Sequence, residues 1–134
     1  MLAASKRGDL KEIQSLLQQK DIDPNEKEIH SGSTPLLFAC FHCHFEIVQL
    51  LLNDDRVDPK VTNQIGRTPF WWACRKGDID IVKFMIDHPK VDINKEDNNG
   101  WTPLIASCSR SLEVVELLLA NRRIKRINFE KFNK

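Results

Sequence analysis

A short run of cysteine and histidine residues is the part of the sequence that could most readily carry chemistry. Cys40, Cys43 and His44 match the C-x-x-C-H pattern used for covalent haem attachment. Cys43 beside His42 or His44 could also form a nucleophile with a histidine base. The same thiols and imidazoles are common zinc ligands. A redox or metal role through Cys40 and Cys43 is therefore one hypothesis for the function.

The surroundings of this run favour a non-catalytic protein. No second Cys/His pair completes a set of four zinc ligands. No oxyanion loop or third orienting residue accompanies Cys43, so a catalytic site is incomplete. The five glycines form no phosphate-binding loop, and nucleotide binding has no support. We therefore predict that the protein is not an enzyme and uses neither a metal nor a cofactor.

Composition and charge argue against nucleic acid and membranes as partners. Hydrophobic residues make up 41% of the 134 residues and charged residues 29%, as in a globular domain. The formal charge of +1 gives no general attraction to nucleic acid or to anionic membranes. The apolar runs are too short to insert into a bilayer. Four cysteines, without a signal-peptide core in residues 1–9, predict free thiols and an intracellular, cytoplasmic location.

The C-terminal end of the chain is basic. Arg122, Arg123, Lys125 and Arg126 place four cations within five residues. Such a cluster could serve nuclear import or contact nucleic acid. We favour a solvated end of the fold, because cations also suit the C-terminus of a helix.

An internal repeat in the sequence predicts the secondary structure that positions the residues discussed above. A Gly-x-Thr-Pro motif begins at Gly32, Gly66 and Gly100, with a spacing of 34 residues. The N-terminal segment carries the rest of the pattern without this opening turn. We predict one domain with the following parts: a truncated unit 1 (1–28), unit 2 (29–62), unit 3 (63–96), unit 4 (97–126) and a basic C-terminal cap (127–134).

Each unit is predicted to form a turn, a short helix, a tight turn, a longer helix and a loop. The threonine of the motif can cap the first helix, and the proline suits its first position. Gly8 and Gly77 separate the first helix from the second, and Cys43 and Ser111 replace that glycine in units 2 and 4. Small, buried helix positions are predicted for three cysteines, namely Cys40, Cys74 and Cys108.

The pattern resembles the ankyrin repeat, whose signature is Gly-x-Thr-Pro-Leu-His, then Ala-Ala-x-x-Gly, then a Val-x-x-Leu-Leu helix. The resemblance covers about residues 2 to 124. It implies an all-α solenoid of about four helix-turn-helix units with short hairpin turns, which binds proteins in a concave groove. Leu37, Trp71 and Ile105 replace the signature histidine. We therefore expect the hydrogen-bond network of that histidine to be absent.

The concave groove of such a stack would be lined by hairpin tips and by the exposed face of each first helix. Aromatic and arginine side chains, the usual anchors of protein interfaces, are frequent at these positions. Together with Lys6 and Arg7 they give the groove a basic character. The predicted binding residues are Phe38, Phe41, His42, Gln64, Arg67, Trp72, Arg75, Lys76, Asn98, Asn99, Trp101 and Arg110.

The predicted function is that of a monomeric protein–protein interaction module, such as an adaptor, scaffold or inhibitor. The expected partner is a protein segment with acidic residues and at least one apolar anchor, and nucleic acid is not expected. An alternative for Phe38 and Trp72 is half-buried packing between adjacent helices. An alternative for the whole chain is a structural fragment of a longer array.

Overall fold

The repeat folds into consecutive pairs of helices. The computed structural model describes residues 1–125, and the predicted C-terminal cap and Arg126 lie outside them. The described residues contain eight helices: α1 (Leu2–Arg7), α2 (Leu10–Leu17), α3 (Pro35–Phe41), α4 (Phe45–Leu52), α5 (Pro69–Lys76), α6 (Ile79–Ile86), α7 (Pro103–Ser107) and α8 (Leu112–Leu119). The predicted all-α stack of about four units is confirmed. The boundaries proposed for the units stay a prediction, and each helix pair lies within one of them.

The first helices of units 2, 3 and 4 begin where the motif predicts. The hydroxyl oxygens of Thr34, Thr68 and Thr102 each accept a hydrogen bond from the backbone N–H three residues later, over 3.1 to 3.3 Å. The proline that follows each threonine occupies the first turn. A threonine cap of this kind stabilises a helix by roughly 1 kcal/mol.

The start of α8 shows that one residue of unit 4 was assigned to the wrong position of the repeat. Ser111 does not replace the glycine of the turn, as we predicted. Its hydroxyl accepts a hydrogen bond from the N–H of Val114 at 3.2 Å and caps α8, as Asp78 caps α6. The residue missing from unit 4 is therefore lost from the preceding turn, and α7 ends early at Ser107.

The turn between the two helices of a unit needs a left-handed residue. Gly8 and Gly77 adopt φ angles of 77° and 71° there. Cys43 takes the same conformation with φ 58°, and it is the one non-glycine residue with positive φ among residues 1–125. In unit 2 the turn therefore has the same left-handed backbone conformation as in units 1 and 3, although the Cβ atom of Cys43 makes that conformation unfavourable.

The helices form two layers that share one apolar interior. The first helices α1, α3, α5 and α7 contact one another in chain order, and so do the second helices α2, α4, α6 and α8. Cys40 and Cys74 are buried between the layers, as predicted. Cys108 is exposed, contrary to the prediction, because α7 ends before it. No helix within residues 1–125 is long and apolar enough to cross a membrane.

Basic side chains tie the loops of neighbouring units together. The guanidinium of Arg56 donates to the carbonyl oxygens of Leu17 and Gln19, at 2.6 and 2.9 Å. Arg123 donates in the same way to the carbonyl oxygens of Ile86 and Val91. One member of the basic C-terminal cluster therefore belongs to the stack itself, since it bonds backbone groups at the end of α6 and in the loop that follows.

Candidate protein-binding groove

A groove opens between the first helices of units 3 and 4. Its volume is about 670 Å³, within the range of ordinary ligand pockets. We call it the α5–α7 groove. It brings together seven of the twelve predicted binding residues, namely Phe41, Arg67, Trp72, Arg75, Lys76, Trp101 and Arg110. Trp71, Ile105, Cys108 and Ser109 complete its lining.

One wall of the α5–α7 groove is aromatic. The ring of Trp72 packs edge to face against Phe41, with centroids 4.7 Å apart, and against Trp71 at 5.0 Å. Trp72 also packs on the buried core, so the packing interpretation holds for it while part of its surface still faces the groove. Trp101, at a hairpin tip, also lines the groove and is 46% exposed. The groove therefore combines a fixed apolar wall with an exposed indole.

Trp71 occupies the position of the signature histidine in unit 3 and connects two units of the stack. The side chain is buried, with 2% of its surface exposed. Its indole N–H donates a hydrogen bond to the backbone carbonyl of Trp101 over 3.0 Å. The signature histidine itself is absent, but in unit 3 the tryptophan at its position makes a side-chain hydrogen bond to the next unit.

Arg67 is held inside the groove wall by a buried carboxylate. Its Nε lies 3.3 Å from Oδ2 of Asp97, and its guanidinium carbon lies 4.0 Å from the centre of the Trp71 ring. The other oxygen of Asp97 accepts hydrogen bonds from the N–H groups of Asn99 and Trp101, at 2.9 and 3.0 Å. The charge of Arg67 is therefore balanced within the protein, which makes it a poorer anchor than predicted.

Sequence reasoning missed Asp97, although a signal was present. Asn63 stands 34 residues earlier, and its Oδ1 accepts hydrogen bonds from the N–H groups of Ile65 and Arg67. Asn and Asp commonly close turns in this way. The repeat of an Asx residue three positions before the motif glycine therefore identifies the hairpin role of Asp97. It does not identify the ion pair with Arg67.

Three cations on the groove stay without a carboxylate partner among residues 1–125. Arg75 donates a hydrogen bond to the hydroxyl of Ser109, the ammonium of Lys76 lies 4.2 Å from the centre of the Phe41 ring, and Arg110 is exposed. No acidic side chain is present among the described residues that line this groove. The α5–α7 groove therefore carries an uncompensated positive charge.

The cations of unit 1, unlike those three, form ion pairs with carboxylates. Lys6 forms an ion pair with Glu28, and Arg7 forms one with Glu12. Hydrogen bonds from Lys6 and Ser31 lower the pKa of Glu28, so this carboxylate is ionised at neutral pH. The contribution of Lys6 and Arg7 to the basic character predicted for the groove is thus largely cancelled by carboxylates of the same unit.

Phe38 is not the exposed anchor that the sequence suggested. Its side chain is only 9% exposed, and the ammonium of Lys6 covers its ring at 4.5 Å from the centroid. With His42 and Phe41 it lines a second, smaller cavity of about 250 Å³ between α3 and α5. His42 is exposed, and partial desolvation, followed by repulsion from His44, lowers its pKa.

The predicted residues at the hairpin tips join neighbouring units. The backbone N–H of Gln64 donates to the carbonyl of Ser31 at 3.0 Å, and that of Asn98 donates to Ile65 at 3.0 Å. The side-chain amide of Asn98 also donates to the carbonyl of Gln64 at 3.2 Å. Asn98 therefore has a structural task, while the side chains of Gln64 and Asn99 face solvent.

The cysteines are poorly placed for thiolate chemistry. Burial raises the pKa of Cys40 well above its usual range. Partial burial, with the neighbouring Asp78 carboxylate, also raises the pKa of Cys43. Both effects reduce the thiolate fraction, which is the nucleophilic and metal-binding form. Within residues 1–125, no three His, Cys, Asp or Glu side chains are grouped so that they could hold a metal ion.

Two family models match the sequence. One, described as ankyrin repeats (3 copies), matches residues 55–130. The other, described as ankyrin repeats (many copies), matches residues 1–52. No curated protein matches the chain.

Proposed function

The chain belongs to the ankyrin-repeat family, and from that premise we propose that it binds a segment of a partner protein in the α5–α7 groove. Repeats of this family generally mediate protein–protein interactions. The partner segment would carry acidic residues and one apolar anchor. In this role the protein acts as a non-catalytic adaptor, scaffold or inhibitor.

The observation that supports this proposal is the juxtaposition of unbalanced charge and apolar surface. Arg75, Lys76 and Arg110 have no carboxylate partner among the described residues, and they lie on the same groove as Trp72 and Trp101. Desolvated charge-assisted hydrogen bonds and aromatic anchors are the contacts that dominate binding energies. An acidic segment with an apolar side chain would satisfy both parts of the groove.

The rigidity of the groove is a second argument. Trp71 and Arg67 fix its wall by hydrogen bonds to Trp101 and Asp97 of the next unit. A preformed site loses little conformational entropy on binding, so more of the contact energy contributes to affinity. We expect the backbone of the groove to move little when the segment binds.

Titration of defined peptides tests this function. The probes are nine-residue peptides with a central Phe and either Glu or Lys at the flanking positions, followed by calorimetry and tryptophan fluorescence. We expect binding of the Glu peptides only. The double variant Arg75→Ala, Trp101→Ala should weaken binding by about 30-fold or more, as loss of an interface anchor does.

The matched control is Lys83→Ala, Leu119→Ala. It removes one exposed cation and one exposed apolar residue from the second-helix layer, away from the groove. This variant should bind as the parent does. Equal affinity of the parent and of the groove double variant, with both chains folded by circular dichroism, would reject the proposal.

One observation favours a second candidate, the extension of a longer array. Leu112 and Leu119 of α8 are 72% and 60% exposed, which is unusual for large apolar residues. A further helical unit packed there would cover them. Analytical ultracentrifugation tests this candidate, because uncovered apolar residues should cause association that increases with protein concentration. A monomer at all concentrations would count against it.

A further inference from the structure

We propose that the acidic group recognised by the α5–α7 groove is a phosphate, carried by a phosphoserine or phosphothreonine two residues from the apolar anchor. This inference rests on the proposed function and specifies its partner. It follows from where the unbalanced cations lie and from their number.

The three cations line the groove near the C-terminal ends of α5 and α7, with Lys76 turned toward Phe41 and Arg75 toward Ser109. Arg75 and Lys76 form the last turn of α5, and Arg110 lies in the turn that follows α7. Arg75 bridges the two elements through its hydrogen bond to Ser109. A Cβ atom placed on Gly77 would lie 3.6 Å from the Cβ of Arg110, so this arginine begins its side chain beside the end of α5.

The charge of these three cations exceeds what one carboxylate would balance. A carboxylate carries one negative charge, whereas a phosphorylated side chain carries about −1.5 to −2 and three acceptor oxygens. The guanidinium groups of Arg75 and Arg110 and the Ser109 hydroxyl provide enough donors for all three oxygens, and the ammonium of Lys76, which lies over the Phe41 ring, adds positive charge. Arginine in particular binds such groups through two parallel hydrogen bonds.

The remaining cations near the concave face do not compete for this ligand. Arg67 is paired with Asp97, and Lys6 is paired with Glu28. Among the described cations that line the groove, those without a carboxylate partner therefore lie in the last turn of α5 and in the α7 turn. This placement favours one multiply charged group over acidic residues spread along the whole concave face.

The geometry of α5 sets the distance between the two subsites. Trp72 precedes Arg75 and Lys76 by three and four residues. At a rise of 1.5 Å per residue, the apolar wall and the cations are about 4.5 to 6 Å apart along the helix axis. In an extended peptide, side chains on one face recur every second residue, at roughly 6.8 Å. The anchor and the phosphorylated residue should therefore be two positions apart.

Matched peptides test the phosphate directly. The probes are nine-residue peptides with Phe at the centre and phosphoserine, Glu or Ser two positions away, and they differ nowhere else. We expect the phosphoserine peptide to bind at least about fivefold more tightly than the Glu peptide, given its additional charge-assisted hydrogen bonds. The Ser peptide should not bind measurably. Moving the phosphoserine next to the Phe should weaken its binding.

Two single variants locate the effect. Arg110→Gln and Lys76→Gln should each reduce the ratio of phosphoserine to Glu affinity, whereas Lys83→Gln, which removes an exposed cation of α6, should leave the ratio unchanged. All three substitutions are at exposed or half-buried positions, and thermal melts verify that the chains remain folded.

The outcomes separate this inference from the proposed function. Equal affinity for phosphoserine and Glu peptides would overturn the phosphate inference and leave the acidic-segment function standing. Absence of binding by both peptides would remove both. A phosphoserine preference that survives in Arg110→Gln and in Lys76→Gln would place the phosphate elsewhere and also overturn the inference.

Discussion

The indole N–H of Trp71 donates a hydrogen bond to the backbone carbonyl of Trp101, 30 residues further along the chain. The donor lies in the buried first helix of unit 3, and the acceptor lies at the hairpin tip of unit 4. This bond fixes the backbone of Trp101 relative to the wall of the α5–α7 groove. Stability of the stack and shape of the binding surface therefore depend on the same contact.

Trp71→Phe should destabilise the protein substantially. The substitution removes one of the two donors to the carbonyl of Trp101, which keeps the N–H of Asp97, so the lost hydrogen bond costs roughly 0.5–1.5 kcal/mol, and the lost ring volume adds a cavity cost. Urea unfolding at neutral pH measures the change in the free energy of unfolding. Trp72→Phe is the control, because the indole N–H of Trp72 has no hydrogen-bond partner among the described residues. A larger loss in the control would contradict the role given to Trp71.

Asp97→Asn should lower stability and increase affinity for acidic peptides. The amide oxygen can still accept the N–H groups of Asn99 and Trp101, as Asn63 does in the preceding hairpin. The ion pair with Arg67 is lost, which costs on the order of 1 kcal/mol in the free energy of unfolding. The freed positive charge then adds to the groove. Urea unfolding and peptide calorimetry measure the two effects, and a weaker affinity would show that the ion pair positions the groove.

The sequence predicted the architecture well because its determinants are local. Thr34 and the glycines act within a few residues, so their spacing predicts helix starts and turns. The site was less predictable, since the burial of Phe38 and the pairing of Arg67 with Asp97 depend on distances between units. The cap made by Ser111 was missed for a different reason, because a single deletion can be placed at several positions in a turn.

Cys43→Gly should stabilise the protein. A non-glycine residue with φ near 58° raises the free energy of the folded state by about 1–2 kcal/mol, and glycine removes this strain. Glycine also increases the conformational entropy of the unfolded chain, which lowers the stability by roughly 0.5–1 kcal/mol. The expected net increase in the free energy of unfolding is therefore about 0.5–1 kcal/mol. Differential scanning calorimetry should show a higher midpoint of unfolding.

The comparison for Cys43→Gly is Gly77→Ala at the same position of unit 3. Gly77 has φ 71°, and an added Cβ would lie 3.1 Å from the Cβ of Ser111. This variant should melt at a lower temperature than the parent. If both substitutions moved the midpoint in the same direction, backbone strain would not be the cause.

The four thiols should react in two classes. Cys43 and Cys108 are exposed, while Cys40 and Cys74 are buried, and burial raises the pKa of both buried thiols. Iodoacetamide at pH 7.5 should label two cysteines in the folded protein and all four in urea, as counted by mass spectrometry. Rapid labelling of Cys40 in the folded state would contradict the packing of unit 2.

Burial of Cys40 and Cys74 should also make the free energy of unfolding decrease at alkaline pH. The folded pKa values of Cys40 and Cys74 lie above those of the unfolded chain, so their contribution is complete below about pH 8.5 and declines as the unfolded thiols ionise. Urea unfolding at pH 7.5 and pH 9.5 should show a lower free energy of unfolding at the higher pH. A Cys40→Ala, Cys74→Ala variant should lose this part of the difference.

The internal pairing of Lys6, Arg7 and Arg67 also affects how a partner arrives. With these charges balanced, the cations of the α5–α7 groove that lack a carboxylate partner among residues 1–125 are Arg75, Lys76 and Arg110. A negatively charged segment is then steered toward these cations before any apolar contact forms. Ions screen this long-range attraction over about 8 Å at physiological ionic strength. The encounter rate should thus decrease as the salt concentration rises, while the contacts buried in the complex, those of the tryptophans included, mainly set its lifetime.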